Sequence, residues 1–260
     1  MTPDMNGDFV LTRALSKEFA SLDDAKGRRR SGLFVAEGRK CVETLIQGGF
    51  RPRHIFVDAA SGLDFAGAVA VKRGLLRELT RLSATPPVIA FFELPEEDCE
   101  IPSPDMVKSE LVLALDRVQD PGNMGTILRT ADWLGVRTVL ASRDCVDVFN
   151  PKAVQASMGA IASVRVIYTD LAGYMASLPA DAEIYGTFLD GANIYASPLS
   201  PCGVVVMGNE GSGVSAKVAS HVNRKLFIPP FGNGCVSESL NVSVATAIVL
   251  SQFRQRQSNG

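Results

Sequence analysis

The sequence predicts an α/β protein in two parts, the second of them a parallel sheet with helices on both faces. Three observations carry this. From Glu110 onward, short apolar runs rich in β-branched residues alternate strictly with helical stretches, the pattern of buried parallel strands joined by crossover helices. The first ninety or so residues alternate in smaller pieces and suffice for a small α/β domain of their own. Between the two parts lies Glu93-Leu-Pro-Glu-Glu-Asp-Cys-Glu-Ile-Pro-Ser-Pro104, whose three prolines and run of acids suit neither a helix nor a central strand. The expected organisation is a domain over 1–92, a linker over 93–105 and a second domain over 106–260.

Taken in order, residues 10–26 predict a helix, because Leu11, Leu15, Phe19 and Leu22 share one face. Lys26-Gly-Arg-Arg-Arg-Ser-Gly32 follows as a basic loop bracketed by glycines. Leu33–Ala36 is a buried strand, Gly38–Ile46 a helix stopped by Gly48-Gly49, and His54–Val57 a second strand. A helix around Leu75–Leu82 and a strand at Val88–Phe92 complete this part. In the second part, strands are expected at Leu111–Leu115, Arg137–Leu140, Val164–Ile167, Ile184–Phe188, Gly203–Met207 and Lys225–Ile228. Helices fall around 124–134, 151–161, 170–178 and 214–221, and a last one from Leu240 to about Gln255 has Val242, Ala245, Val249 and Phe253 on its buried face.

Composition narrows the class. A hydrophobic fraction of 46% with 21% charge supplies an ordinary core, and no apolar run approaches the roughly 18 residues of a membrane span. The start, Met1–Asp8, is polar and acidic, unlike a signal peptide. Five cysteines, at 41, 99, 145, 202 and 235, are odd in number and lack any C-x-x-C pair. They predict reduced thiols in a cytoplasm and argue against a disulfide framework or structural zinc. His54 and His221 are the only histidines, both placed structurally, so no metal is expected. Residues 1–92 hold 14 Lys/Arg against 10 Asp/Glu, and residues 93–260 hold 12 against 18. The basic surplus of the first part, with Arg28, Arg29, Arg30, Arg39 and Lys40 close in sequence, suits contact with a polyanion. A solvated surface with uneven charge is the plainer alternative.

Three polar clusters sit where strands end, the place where open parallel sheets bind ligands. The first is Asp116-Arg-Val-Gln-Asp-Pro-Gly-Asn-Met-Gly-Thr-Ile-Leu-Arg-Thr130. Asn123 there is positioned to cap the next helix, whereas Arg129 points roughly 200° from Ile127 and so away from the buried face. The second is Val204-Val-Val-Met-Gly-Asn-Glu-Gly-Ser-Gly-Val-Ser215. Its glycines have phosphate-loop spacing, but Val214 stands where the loop's lysine belongs, and Glu210 would repel phosphate. The third runs from Phe227 through Pro229-Pro230 and a glycine-rich loop to Ser237-Glu-Ser-Leu-Asn241, offering Ser237, Ser239 and Asn241 as caps where a helix needs one.

In this order and at these strand ends, the clusters closely resemble the SpoU (TrmH-like) family of RNA ribose 2′-O-methyltransferases, in the SPOUT superfamily. The matching residues are Asp120-Pro-Gly-Asn-Met-Gly-Thr-Ile-Leu-Arg-Thr-Ala131, Met207-Gly-Asn-Glu-Gly-Ser-Gly213, and Ile228-Pro229 with Glu238-Ser-Leu-Asn-Val-Ser-Val-Ala245. The likeness covers about 106–256. More loosely, the part containing Leu33-Phe-Val-Ala-Glu-Gly-Arg-Lys40 resembles the family's N-terminal RNA-binding domain, similar in fold to a small ribosomal protein.

The resemblance implies S-adenosylmethionine bound in a C-terminal trefoil knot and a homodimer whose site draws on both protomers. It implies cofactor contacts at Met207, Gly208, Ile228 and Leu240, with Thr187 and Leu189 as neighbours, and an active-site polar set of Asn123, Arg129, Glu210, Ser239 and Asn241. Arg129 is either the base or, since a guanidinium scarcely deprotonates, the group that orients a substrate phosphate. Ribosomal RNA is the expected substrate, with transfer RNA, or a non-catalytic RNA-binding role, as alternatives. One departure is the stretch Pro229–Ser237, longer than the family's usual spacing, which affects the Ile228 contact most.

Overall fold

The computed structural model describes residues 12–96, 100–232 and 239–258. Leu11, Cys99, Cys235, Ser237 and Glu238 lie outside them. In chain order the elements are α1 (Arg13–Ser21), α2 (Ala25–Ser31), β1 (Leu33–Glu37), α3 (Arg39–Gln47), β2 (Pro52–Asp58), β3 (Val69–Val71), α4 (Arg73–Leu79) and β4 (Val88–Glu93). There follow β5 (Leu111–Leu115), α5 (Pro121–Trp133), β6 (Thr138–Ser142), α6 (Pro151–Ser157), β7 (Arg165–Thr169) and α7 (Leu171–Ala176). The rest are β8 (Ile184–Asn193), β9 (Gly203–Met207), α8 (Ala216–Ala219), β10 (Arg224–Phe227) and α9 (Val242–Ser258). Packing divides the chain into two units, Met1–Glu97 with Asp147–Ala162, and Asp98–Val146 with Ser163–Gly260.

The first unit is built on a four-stranded sheet of order β1-β4-β2-β3, antiparallel except for the β2/β3 pair. Side chains alternate along β1, so Leu33 and Val35 join Phe19, Phe56, Leu76 and Phe91 on one face. Phe34 turns to the other face, against Phe50, Phe92 and Phe149. Phe149 precedes α6, which packs on β1, so a segment from the second half of the sequence completes this core.

The stretch expected as a basic loop is the helix α2. Asp24 caps it by accepting from the Gly27 N–H at 2.6 Å, and Gly27 permits close approach, since a Cβ there would sit 1.7 Å from the Ser21 carbonyl oxygen. Helical geometry then turns the three arginines in different directions. Arg28 is only 2% exposed; its Nε and Nη2 donate to Asp147 Oδ2 at 3.0 and 2.6 Å, and its Nη1 to the Leu22 carbonyl at 2.7 Å. The expectation of an RNA contact at Arg28 is therefore corrected: its donors are spent inside the unit. Arg29, Arg30, Arg39 and Lys40 are exposed, Arg39 pairing with Glu43 one turn on.

The second unit holds a six-stranded, wholly parallel sheet of order β10-β8-β9-β5-β6-β7. On one face Val112, Ala114, Leu140, Ile167 and Val206 pack against Leu171, Tyr174 and Met175 of α7 and Val218 of α8. On the other, Tyr185 meets Phe253 of α9 edge-on at 4.8 Å, and α9 lies along α5. Helices on both faces follow, as the apolar strands require. β8 departs from expectation by running to Asn193. It pairs with β10 at Tyr185 and Gly186, then again at Ala192 and Asn193, so 187–191 leaves the ladder between them.

Candidate active site

The site starts where β5 ends. Asp120 caps α5, accepting from the Asn123 N–H at 2.7 Å, with Pro121 at the first helical position. The capping role expected of Asn123 thus belongs to Asp120, and the Asn123 carboxamide is released for other partners. Its Nδ2 donates to Glu210 Oε1 at 2.8 Å, and its Oδ1 accepts from Asn241 Nδ2 at 2.9 Å. Asn241 is in turn the cap of α9: its Oδ1 accepts from the N–H groups of Ser243 at 2.9 Å and Val244 at 3.4 Å. One amide therefore anchors α9 with its oxygen and reaches α5 with its nitrogen. The three clusters meet in a continuous chain, Asn241–Asn123–Glu210.

Beside this chain lies a cavity of about 730 Å³. Its walls include Thr187, Leu189, Met207, Gly208, Ile228 and Leu240, together with Glu210 and Ser239. The segment of β8 that leaves the ladder supplies one wall, and the ends of β9 and β10, the loop after β9 and the start of α9 supply the others. Gly208 is required by its neighbours, since a Cβ would stand 2.3 Å from the Gly213 carbonyl carbon and the Val214 nitrogen. Leu189, Phe231 and Leu240 are exposed at its lip, Phe231 with its ring 5.6 Å from that of Tyr195.

Arg129 stands apart. It is exposed on the outer face of α5, is not part of the cavity wall, and has no hydrogen bond or ion pair to the described residues. One turn further on the same face, Trp133 is 89% exposed, a large apolar surface for a single side chain.

Sequence reasoning passed over Asn209, Asp116 and Arg117. Asn209 Oδ1 accepts from the N–H groups of Gly211 and Ser212, both at 3.0 Å, and its Nδ2 donates to the Arg117 carbonyl at 2.8 Å. An asparagine two residues before a glycine is the signature of such a side-chain turn and was available as a signal. Asp116, 3% exposed, accepts from the Ser215 N–H at 2.6 Å. Elsewhere two buried thiols are unsuited to chemistry: burial pushes Cys41 up to about 12 and also raises Cys145. Among the described residues no cluster of His, Cys, Asp and Glu has metal-site geometry.

A parallel sheet whose strand ends converge on a polar chain and a cavity defines an α/β protein that binds its ligand at the carboxyl edge. Comparison with known proteins specifies which. The model of the SpoU rRNA Methylase family matches residues 110–251, and that of the MRM3-like substrate binding domain matches 16–90. The chain belongs to the SpoU rRNA methylase family. The 23S rRNA (guanosine(2553)-2′-O)-methyltransferase RlmP of Bacillus subtilis is 30% identical over 244 residues, spanning 92% of this chain and 95% of the relative. A TrmH-family RNA methyltransferase structure from Porphyromonas gingivalis matches with a TM-score of 0.80 at 37% identity, covering 95% of this chain and 100% of the other. An AdoMet-bound rRNA methyltransferase from Sinorhizobium meliloti matches with a TM-score of 0.80 at 27% identity, covering 95% and 96%.

Proposed function

We propose that this chain transfers a methyl group from S-adenosylmethionine to a ribose 2′-hydroxyl of RNA, and that the RNA is ribosomal. The observation that carries the reading is the Asn241–Asn123–Glu210 chain beside a cavity walled by all six residues expected at the cofactor. The similarity to RlmP, which acts on 23S rRNA, favours ribosomal over transfer RNA.

S-adenosylmethionine supplies a sulfonium-bound methyl, already set on a good leaving group. The work left to the chain is alignment and proton removal. The backbone around Gly208 and the apolar walls at Leu189, Ile228 and Leu240 hold the cofactor and exclude water. Asn123 and Asn209 fix the Glu210 carboxylate by donating from Nδ2 to its Oε1 (2.8 Å) and Oε2 (3.3 Å) respectively, so that it faces the reacting groups in one orientation. Ser239 adds a hydroxyl at the wall.

Arg129 acts across a homodimer. Its exposure together with that of Trp133 on α5, and of Val244 (48%) on the adjoining α9, supports a two-fold contact through these helices that brings Arg129 to the partner's cavity. There it orients the substrate phosphate and stabilises the developing alkoxide. The break in β8 at 187–191, with walls drawn also from β10 and the residues before α9, supports a knotted C-terminal loop. The first unit presents Arg29, Arg30, Arg39 and Lys40 to RNA, with 1–92 and 106–260 as the two functional domains. Free thiols at Cys41, Cys145 and Cys202 favour a cytoplasmic setting, and no helix among the described residues is long and apolar enough to cross a membrane.

The test is methyl transfer to 23S rRNA in vitro, read as a 2′-O-methylnucleoside by mass spectrometry, with Arg129→Ala alongside. The expected result is one modified nucleoside with the native protein, and cofactor binding without transfer in the variant. Near-normal transfer by Arg129→Ala would remove Arg129 from the site, and no modified nucleoside from the native protein would remove the reading.

A further inference from the structure

Arg117 follows β5 with φ +60°, a left-handed conformation that an arginine adopts only at a cost in strain. Its backbone ties this turn to two neighbouring segments, and its side chain adds a bond that only a long donor supplies. The backbone N–H donates to Ser142 Oγ at 2.9 Å, which fixes the turn to the end of β6. The carbonyl accepts from Asn209 Nδ2 at 2.8 Å, and the guanidinium Nη2 donates to the Gly213 carbonyl at 3.2 Å. Asn209 and Gly213 are also the two ends of a closed loop, paired through backbone bonds of 3.0 and 2.9 Å. Arg117 is thus fastened to both ends of the segment that carries Glu210 in the polar chain and directly follows Gly208 at the cavity wall. Its Nε lies 3.6 Å from Asp116 Oδ1, and Asp116 holds Ser215 just beyond the loop.

We propose that Arg117 is a positioning residue for the methyl transfer: it acts through the 208–213 loop, setting the Gly208 backbone for the cofactor and the Glu210 carboxylate for the reacting hydroxyl. A left-handed turn brings its carbonyl and guanidinium to bear on the loop together, and the strain is retained for that purpose. The proposal rests on the methyltransferase reading. Cofactor binding is nevertheless measured separately from transfer, so the two fail differently.

The test uses Arg117→Gly and Arg117→Asn in the full chain, with Arg117→Lys as the conservative variant. Glycine adopts φ +60° freely and asparagine tolerates it, so both keep the turn and lose the guanidinium. The expected result is an unchanged or raised Tm, with the Kd for S-adenosylmethionine weakened about ten-fold, the worth of one hydrogen bond from a charged donor. kcat should fall further because the loop that carries Glu210 is then tied to residue 117 at its Asn209 end alone, and Arg117→Lys should recover part of both. Wild-type Kd and kcat in the glycine and asparagine variants would overturn the proposal. So would a loss of binding that only tracks a fall in Tm, which marks a structural residue. A native protein that binds the cofactor but methylates no RNA would instead refute the function, leaving the effect of Arg117 on binding readable.

Discussion

Replacing Asp147 by alanine separates a structural from an RNA-binding role for the arginine cluster. Arg28 is 2% exposed and makes three hydrogen bonds, two of them to Asp147, whose own side chain is about one-third exposed. Breaking a buried pair by removing one partner costs roughly 3–5 kcal/mol, because the remaining charge stays desolvated. Arg28 keeps its bond to Leu22, and water can reach the vacated position, so the lower end applies, about 3 kcal/mol. The sole tryptophan, Trp133, belongs to the second unit, so its fluorescence would not report this loss. Amide hydrogen exchange in β1 and α2 would, with opening expected to rise on the order of 100-fold. Replacing both partners together, Arg28→Met with Asp147→Leu, should recover most of that stability. Arg29→Glu, on an exposed residue, should leave exchange unchanged and weaken RNA binding. If Asp147→Ala left exchange unaltered while RNA affinity fell, Arg28 would be an RNA ligand and the assignment of its donors wrong.

Two further outcomes follow from the geometry. Gly208→Ala places a methyl 2.3 Å from the backbone at Gly213 and Val214, so the loop must move. Cofactor affinity should fall by about ten-fold or more, as overpacking costs roughly 1–3 kcal/mol; unchanged affinity by calorimetry would show that Gly208 is not at the cofactor. Arg224 holds the Glu183 carboxyl below its ordinary value through bonds of 3.1 and 3.0 Å, with Tyr185 a lesser cause. Stability from a depressed carboxyl is present above its unfolded value near 4.5 and is lost as pH falls through the folded value. Denaturation between pH 5 and about 3 should therefore be shallower in Glu183→Gln than in the native protein, and parallel curves would contradict the pairing.

Much of the architecture was legible because it is written in local periodicity. Gly203–Met207 and Leu111–Leu115 are continuous apolar runs that only a covered strand accommodates, and both occur as expected. β3 was invisible, since a strand of three residues, Val69–Val71, is too short to carry a readable alternation. Lys26–Gly32 looked like a loop because of its glycines. The cap at Asp24 and the close packing of Gly27 on α1, a contact that sequence does not display, make it a helix. The same long-range blindness hid Asp147 as the partner of Arg28, 119 residues away. In the site, the residue types were readable, but which asparagine capped which helix was not. Asp120 and Asn241 took the caps, and Asn123 became the link between helices.

That link is the most direct point of attack. Single-turnover methyl transfer by Asn123→Ala, Asn241→Ser and the double variant measures whether the two residues act as one unit; serine keeps the α9 cap and loses the reach to Asn123. The account predicts that each change slows transfer by about 100-fold, as loss of alignment does, and that the double variant is little slower than either. Multiplicative losses in the double variant, on the order of 10⁴-fold, would mean that the strand-end clusters act separately and do not meet at one site.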